Sequence, residues 1–88
     1  MDPALLKIRR ERAELLAAEL AAETGIPASC ILGRTRDPEV VPVRHRLWRM
    51  LNESGLSSKS IGAALGVDHT SVCKALRKIR RADRSEAA

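Results

Sequence analysis

The sequence turns on one tripeptide, Gly66-Val67-Asp68, set between two apolar patterns of helical period. Upstream, Ile61 and Leu65 stand four residues apart, and Ser57 or Ser58 can cap the segment that carries them. Downstream, Val72, Ala75 or Leu76, and Ile79 repeat at helical intervals behind Asp68, itself a good cap residue. Gly66 can take the positive φ of a tight turn, and Gly62 lets a second helix come close. Val67 plugs the turn into a core. Two helices across so short a turn form a helix-turn-helix, and the spacing predicts one here.

What surrounds that motif is also helical. Trp48 is the one aromatic residue, so the core must be aliphatic, which favours closely packed helices over a sheet. Asp2-Pro3 reads as a helix start, and Leu5, Ile8, Leu15, Leu16 and Leu20 follow at roughly helical spacing. Arg12 interrupts that stripe, so it is expected to pack on the domain's own core rather than form a coiled-coil dimer. Gly25 and Pro27 stop the helix. A short helix over 27–32 should bring Ile31 and Leu32 inward, and Gly33 to Pro38 reads as a polar, basic loop. A third helix is expected from Pro42 to about Ser54, with Val43, Leu47, Met50 and Leu51 inward and Trp48 as a core or rim anchor. The fold class is therefore all-α, a small bundle of about five helices. Residues 1–84 are read as a single domain and 85–88 as a flexible tail or the start of a linker.

No apolar run approaches the roughly 18–20 residues of a membrane span, and the charged first turn is unlike a signal peptide. Cys30 and Cys73 lack metal-like spacing and read as small reduced core residues. The two histidines and two cysteines form no nucleophile–base pair or ligand set. An enzyme, a cofactor and a metal are accordingly not expected. A cytoplasmic protein, associated with the nucleoid, is the simplest reading.

Net charge is +5, and its placement matters more than its total. The first 23 residues are near neutral. Between Arg34 and Arg49, five arginines face only Asp37 and Glu39, and between Asp68 and Arg84 six cations face only Asp68 and Asp83. Two such blocks favour a polyanionic partner, although a charged run can also be only a solvated face. On the second helix of the motif, His69, Thr70 and Ser71 fill the first turn, with Lys74, Arg77, Lys78 and Arg81 behind them. In a docked helix-turn-helix the early residues reach base edges and the cations hold phosphates. The loop arginines have a second use as minor-groove probes, because narrow A·T-rich grooves attract arginine.

The run Asp68-His69-Thr70-Ser71-Val72, with Ile61-Gly62 before it and Arg77-Lys78-Ile79 after it, resembles the DNA-binding domain of the bacterial replication initiator DnaA. The likeness extends back through the arginine loop and, more weakly, to Ala13. It implies that Asp68, His69, Thr70 and Ser71 read bases in the major groove and that Arg36 or Arg34 enters the minor groove. It also implies phosphate contacts from Arg44, Ser57, Lys59 and Lys74, to which the exposed-face cations Arg77 and Lys78 are added. The residue chemistry agrees, since a carboxylate accepts from cytosine and a threonine methyl packs on thymine. Two departures stand out. Ser71 replaces a second threonine, and Gly66-Val67 runs straight into Asp68 where the family has a further glycine and an arginine. No Gly-x-x-x-x-Gly-Lys-Ser/Thr loop is present, so nucleotide hydrolysis is not expected of this chain.

The function expected is sequence-specific binding of double-stranded DNA for transcriptional regulation, as a monomer on DNA rather than an obligate dimer. RNA polymerase or another regulatory protein is a further expected partner, and no membrane is. The alternative is a helical protein-interaction adaptor, or a sigma-factor-like module touching the transcription or replication machinery.

Overall fold

A computed structural model describes residues 2–33 and 35–87, with side chains through Arg81. The Asp2 carboxylate accepts from the Ala4 N–H at 2.9 Å and Pro3 takes the first helical position, so the chain enters α1 (Pro3–Thr24) almost at once. Gly25 caps it, its N–H donating to Ala21. There follow α2 (Ala28–Leu32), α3 (Val40–Glu53), α4 (Ser58–Leu65) and α5 (His69–Ala87). Every element among the described residues is helical. The domain is the all-α bundle of five helices expected.

Each helix sends at least one fully buried aliphatic side chain to a common core. These are Leu20 from α1, Ile31 from α2, Leu47 and Leu51 from α3, Ile61 from α4 and Val72 from α5. Burying each stabilises the fold by about 1.5–3 kcal/mol, before the entropy of ordering the chain is set against it. Trp48 joins this core at 5% exposure. Both cysteines are free and half-buried.

Three expectations need correction. Leu5, Ile8 and Leu15 do not enter the core; they are 41, 60 and 70% exposed. The buried face of α1 is instead Ala13, Ala17 and Leu20. Alanines let the helix axis come close to its neighbours, and two arginines then fix its rotation. Arg9 donates to Ser60 Oγ and Arg10 to the Ala64 carbonyl, each at 3.2 Å, so α4 is held against the alanine face. Helix α3 begins at Val40, two residues before Pro42. A proline is tolerated there because first-turn N–H groups have no intrahelical acceptor. The Asp37 carbonyl makes the earlier start possible by accepting from Val40 and Val41 at 2.9 and 3.0 Å. Lastly, Arg44 belongs to the buried face of α3 beside Val43, Leu47, Trp48 and Leu51, whereas Met50 is only half-buried. At the other end α5 runs on through Ala87; Ala88, the last residue of the expected tail, lies outside the described residues.

Candidate nucleic-acid interface

Helices α4 and α5 cross where Gly62 faces the turn. A Cβ at Gly62 would lie 2.8 Å from the Val67 carbonyl and 3.1 Å from the His69 nitrogen, so no larger residue fits without moving the backbone. Gly66 sits at φ +68, in the left-handed region, and its residue type follows from that angle. The Val67 N–H then donates back to Gly62 at 3.0 Å. These contacts set the direction in which α5 leaves the turn.

At that point Asp68 caps the helix. Its carboxylate accepts from the Thr70 N–H at 2.9 Å, and its carbonyl accepts from Ser71 and Val72 at 3.1 and 3.3 Å. The backbone bond from Thr70 is the main cause that holds the Asp68 pKa below its ordinary value; slight burial opposes it, and His69 and Lys74 add to it. An ionised carboxylate at a helix N-terminus is also favoured by the helix dipole. Asp68, His69, Thr70 and Ser71 are all exposed, as are Lys74, Arg77 and Lys78 farther along. The first turn of α5 thus displays four polar side chains that carry none of the core packing.

The arginine loop starts close by. Gly33, Arg44 and Trp48 on one side and Gly66, Asp68 and Ser71 on the other line one open cleft of about 410 Å³. The loop has its own order. Thr35 Oγ accepts from the Asp37 N–H at 3.3 Å, and the Asp37 carboxylate accepts from the Glu39 N–H at 3.0 Å. Arg36, between those anchored residues, is exposed. Arg34, the other expected minor-groove residue, lies outside the described residues.

Arg44 has a different place from the phosphate contact expected of it. It is 8% exposed. Its Nε donates to the Ile31 carbonyl at 3.1 Å, one Nη to Thr35 at 2.7 Å and the other to Cys30 at 2.8 Å. The guanidinium therefore ends α2 and ties the loop to α3. Desolvation lowers its pKa, with the neighbouring Cys30 acting the other way. The phosphate role of Arg44 rests on the family resemblance, and the apolar spacing of α3 leaves it out of the inner face. It stands four residues before buried Trp48, on the same side of α3, and that register is the signal that could have placed it inside.

Of the remaining expected phosphate contacts, Ser57 and Lys59 are exposed at the start of α4. Ser57 also caps that helix by accepting from the Ser60 N–H at 3.2 Å. The two basic blocks meet in space, since His45, Arg46 and Arg49 of α3 border a second cleft together with Lys78 of α5. Part of that charge is already paired, Arg46 with Glu23 at 3.1 Å and Arg49 with Glu53 at 3.0 Å. His45, stacked at a tilt 5.2 Å from Trp48, has its pKa lowered by burial first and then by Lys78 and Arg44.

A family model described as the bacterial DnaA protein helix-turn-helix matches residues 13–79 of the chain's 88. The chain belongs to that family. The DnaA match runs from the alanine face of α1 to Ile79 in α5, and so takes in the arginine loop, the Gly62–Gly66 turn and the polar first turn of α5. It leaves out Leu5 and Ile8. Among curated proteins and solved structures nothing matches. As a DnaA-type helix-turn-helix, the domain binds double-stranded DNA, and the family is a binding rather than a catalytic one. No helix among the described residues is long and apolar enough to cross a membrane.

Proposed function

We propose that this domain binds duplex DNA sequence-specifically, with Asp68, His69, Thr70 and Ser71 reading bases in the major groove and Arg36, together with Arg34, entering the adjacent minor groove. Ser57, Lys59, Lys74, Arg77 and Lys78 hold phosphates; Arg44 is not among them. The observation that carries this reading is the exposed, capped first turn of α5, whose side chains have no packing role and stand beside the origin of the arginine loop. Residues 1–84 act as one domain in the cytoplasm, at the nucleoid, as a monomer on each site. Regulation of transcription is the use proposed, because the exposed first turn of α5 and the two basic blocks make the domain a reading head for duplex DNA.

Site selection from random duplexes tests it, followed by titration on the enriched site. Neutralising about five phosphates gives a slope of log K against log salt near −4 to −5. His69→Ala reduces discrimination between sites by about 1–3 kcal/mol, the worth of a lost base contact. Lys74→Ala weakens all duplexes alike and lowers the slope by about one. Absence of any enriched sequence at low salt would sink the reading.

A second reading, an adaptor surface for RNA polymerase or another regulatory protein, is favoured by one feature. Leu5, Ile8 and Leu15 are exposed on a helix that the core already holds by its opposite side. Large apolar side chains grouped in this way mark interaction surfaces. Light scattering and polymerase pull-down with Leu5→Glu/Ile8→Glu test this surface, and unchanged behaviour in both assays removes it.

A further inference from the structure

The arginine loop owes its shape to a residue that cannot itself reach DNA. Arg44 is buried, and all three of its side-chain nitrogens donate to main-chain carbonyls. Two of those carbonyls, Cys30 and Ile31, belong to the last residues of α2, where an α-helix has acceptors without intrahelical donors; Cys30 also accepts from the Gly33 N–H at 3.2 Å. The third, Thr35, is the residue immediately before Arg36, and its 2.7 Å bond is the shortest of the three. On the far side of Arg36, Asp37 is fixed by its bonds to Glu39, Val40 and Val41. The main chain of Arg36 is therefore held on both flanks, by Arg44 before it and by the start of α3 after it.

We infer that Arg44 is a positioning residue for minor-groove recognition: its guanidinium locks residue 35 to α3 and so aims Arg36 at a fixed place relative to α5. The inference rests on the proposal that Arg36 reads the minor groove. A planar fork is required for this task. Lysine is a point donor on a flexible stem and cannot satisfy three divergent carbonyls at once. Without the fork, the loop samples orientations that α5 cannot correct, and Arg36 must be ordered at the moment of binding. The loss falls on one groove only, because Asp68 and the first turn of α5 are anchored to the Gly62–Gly66 turn and make no bond to Arg44.

The test uses the full chain and a duplex enriched from a random pool, with two kinds of base substitution. Diaminopurine for adenine adds an amino group in the minor groove and leaves the major-groove edge as it was. Inosine·cytosine for A·T keeps the minor-groove edge and changes the major one. Wild-type protein should lose about tenfold in affinity for each kind of change at the relevant positions. Arg44→Met and Arg44→Lys should both lose the diaminopurine penalty, to within about twofold, and keep the inosine penalty. A diaminopurine penalty that survives in both variants overturns the inference while leaving the minor-groove reading intact. A wild-type protein indifferent to diaminopurine overturns the minor-groove reading, and this inference with it. Should neither variant fold, exchange of the Arg44 Nε proton in the wild type decides: protection relative to exposed Arg36 supports the clamp, and equal exchange overturns it.

Discussion

The α4–α5 turn and the arginine loop are both short, both polar and both next to the same cleft, yet they are ordered by different means. The turn is held from within. Its bonds join residues two to five apart, as in Thr70 to Asp68 and Val67 to Gly62, and its glycines allow the backbone to take the required path. The loop has local bonds about Asp37, but its junction with α2 is held from outside, by an arginine nine residues away from Thr35 and 13 and 14 away from the α2 carbonyls. A locally ordered element keeps its shape when a neighbour changes. A remotely ordered one inherits every change in the residue that holds it.

That difference can be broken or sharpened by substitution. The largest effect is expected from Gly62→Val, which drives a side chain into the Val67 carbonyl and disorders the turn itself. Chemical denaturation should show a loss at the upper end of the about 1–3 kcal/mol typical of overpacking. Arg44→Met comes next. It leaves the buried Ile31 carbonyl without this donor, at about 1–3 kcal/mol for an unmet acceptor, and frees Thr35, so amide exchange should rise over 30–37 but not over 62–71. Asp68→Ala removes a cap and should destabilise less than either of these, with the early exchange confined to the first turn of α5. If Arg44→Met loosens the turn as much as the loop, the distinction between the two elements is wrong.

The smallest effect is one of pH. His45 has a pKa below its ordinary 6.5 because the folded state buries it near Lys78 and Arg44. Between the folded value and 6.5 the unfolded chain binds more protons, so stability rises with pH through that window and is level below the folded value, where both states are protonated. His45→Gln should flatten this slope in melts between neutral and mildly acidic pH. Asp68 behaves in the carboxylate sense. Its contribution is present above 3.8 and disappears as pH falls through its lowered folded value.

The same contrast explains what the sequence disclosed. The turn was legible because its determinants are neighbours: Gly62, Gly66, Val67 and Asp68 each act on residues within one helical turn or so. All five helices are legible from caps, stops and apolar spacing, and α3 alone begins two residues before its expected start, because Pro42 is a tolerated member of its first turn. Spacing failed where rotation depends on a partner. On α1, alanines rather than leucines face inward, because close approach to α4 and the bonds of Arg9 and Arg10 decide the rotation. On α3, Arg44 turns inward because the Ile31 and Cys30 carbonyls at the end of α2 accept from it; its register with Trp48 hints at the inner face, but apolar spacing contains no record of those acceptors.

The Asp68 cap has one more consequence, for how such a domain can change its target. His69 and Ser71 project outward and take no part in the core, His69 making only an exposed 3.8 Å contact with the Asp68 carboxylate, so both can be randomised with the scaffold left standing. Asp68 and Thr70 are not free in this way, because they bond to each other through backbone and side chain and together begin the helix. A library built on this scaffold therefore has two letters that can be rewritten at will and two that are tied to its spelling.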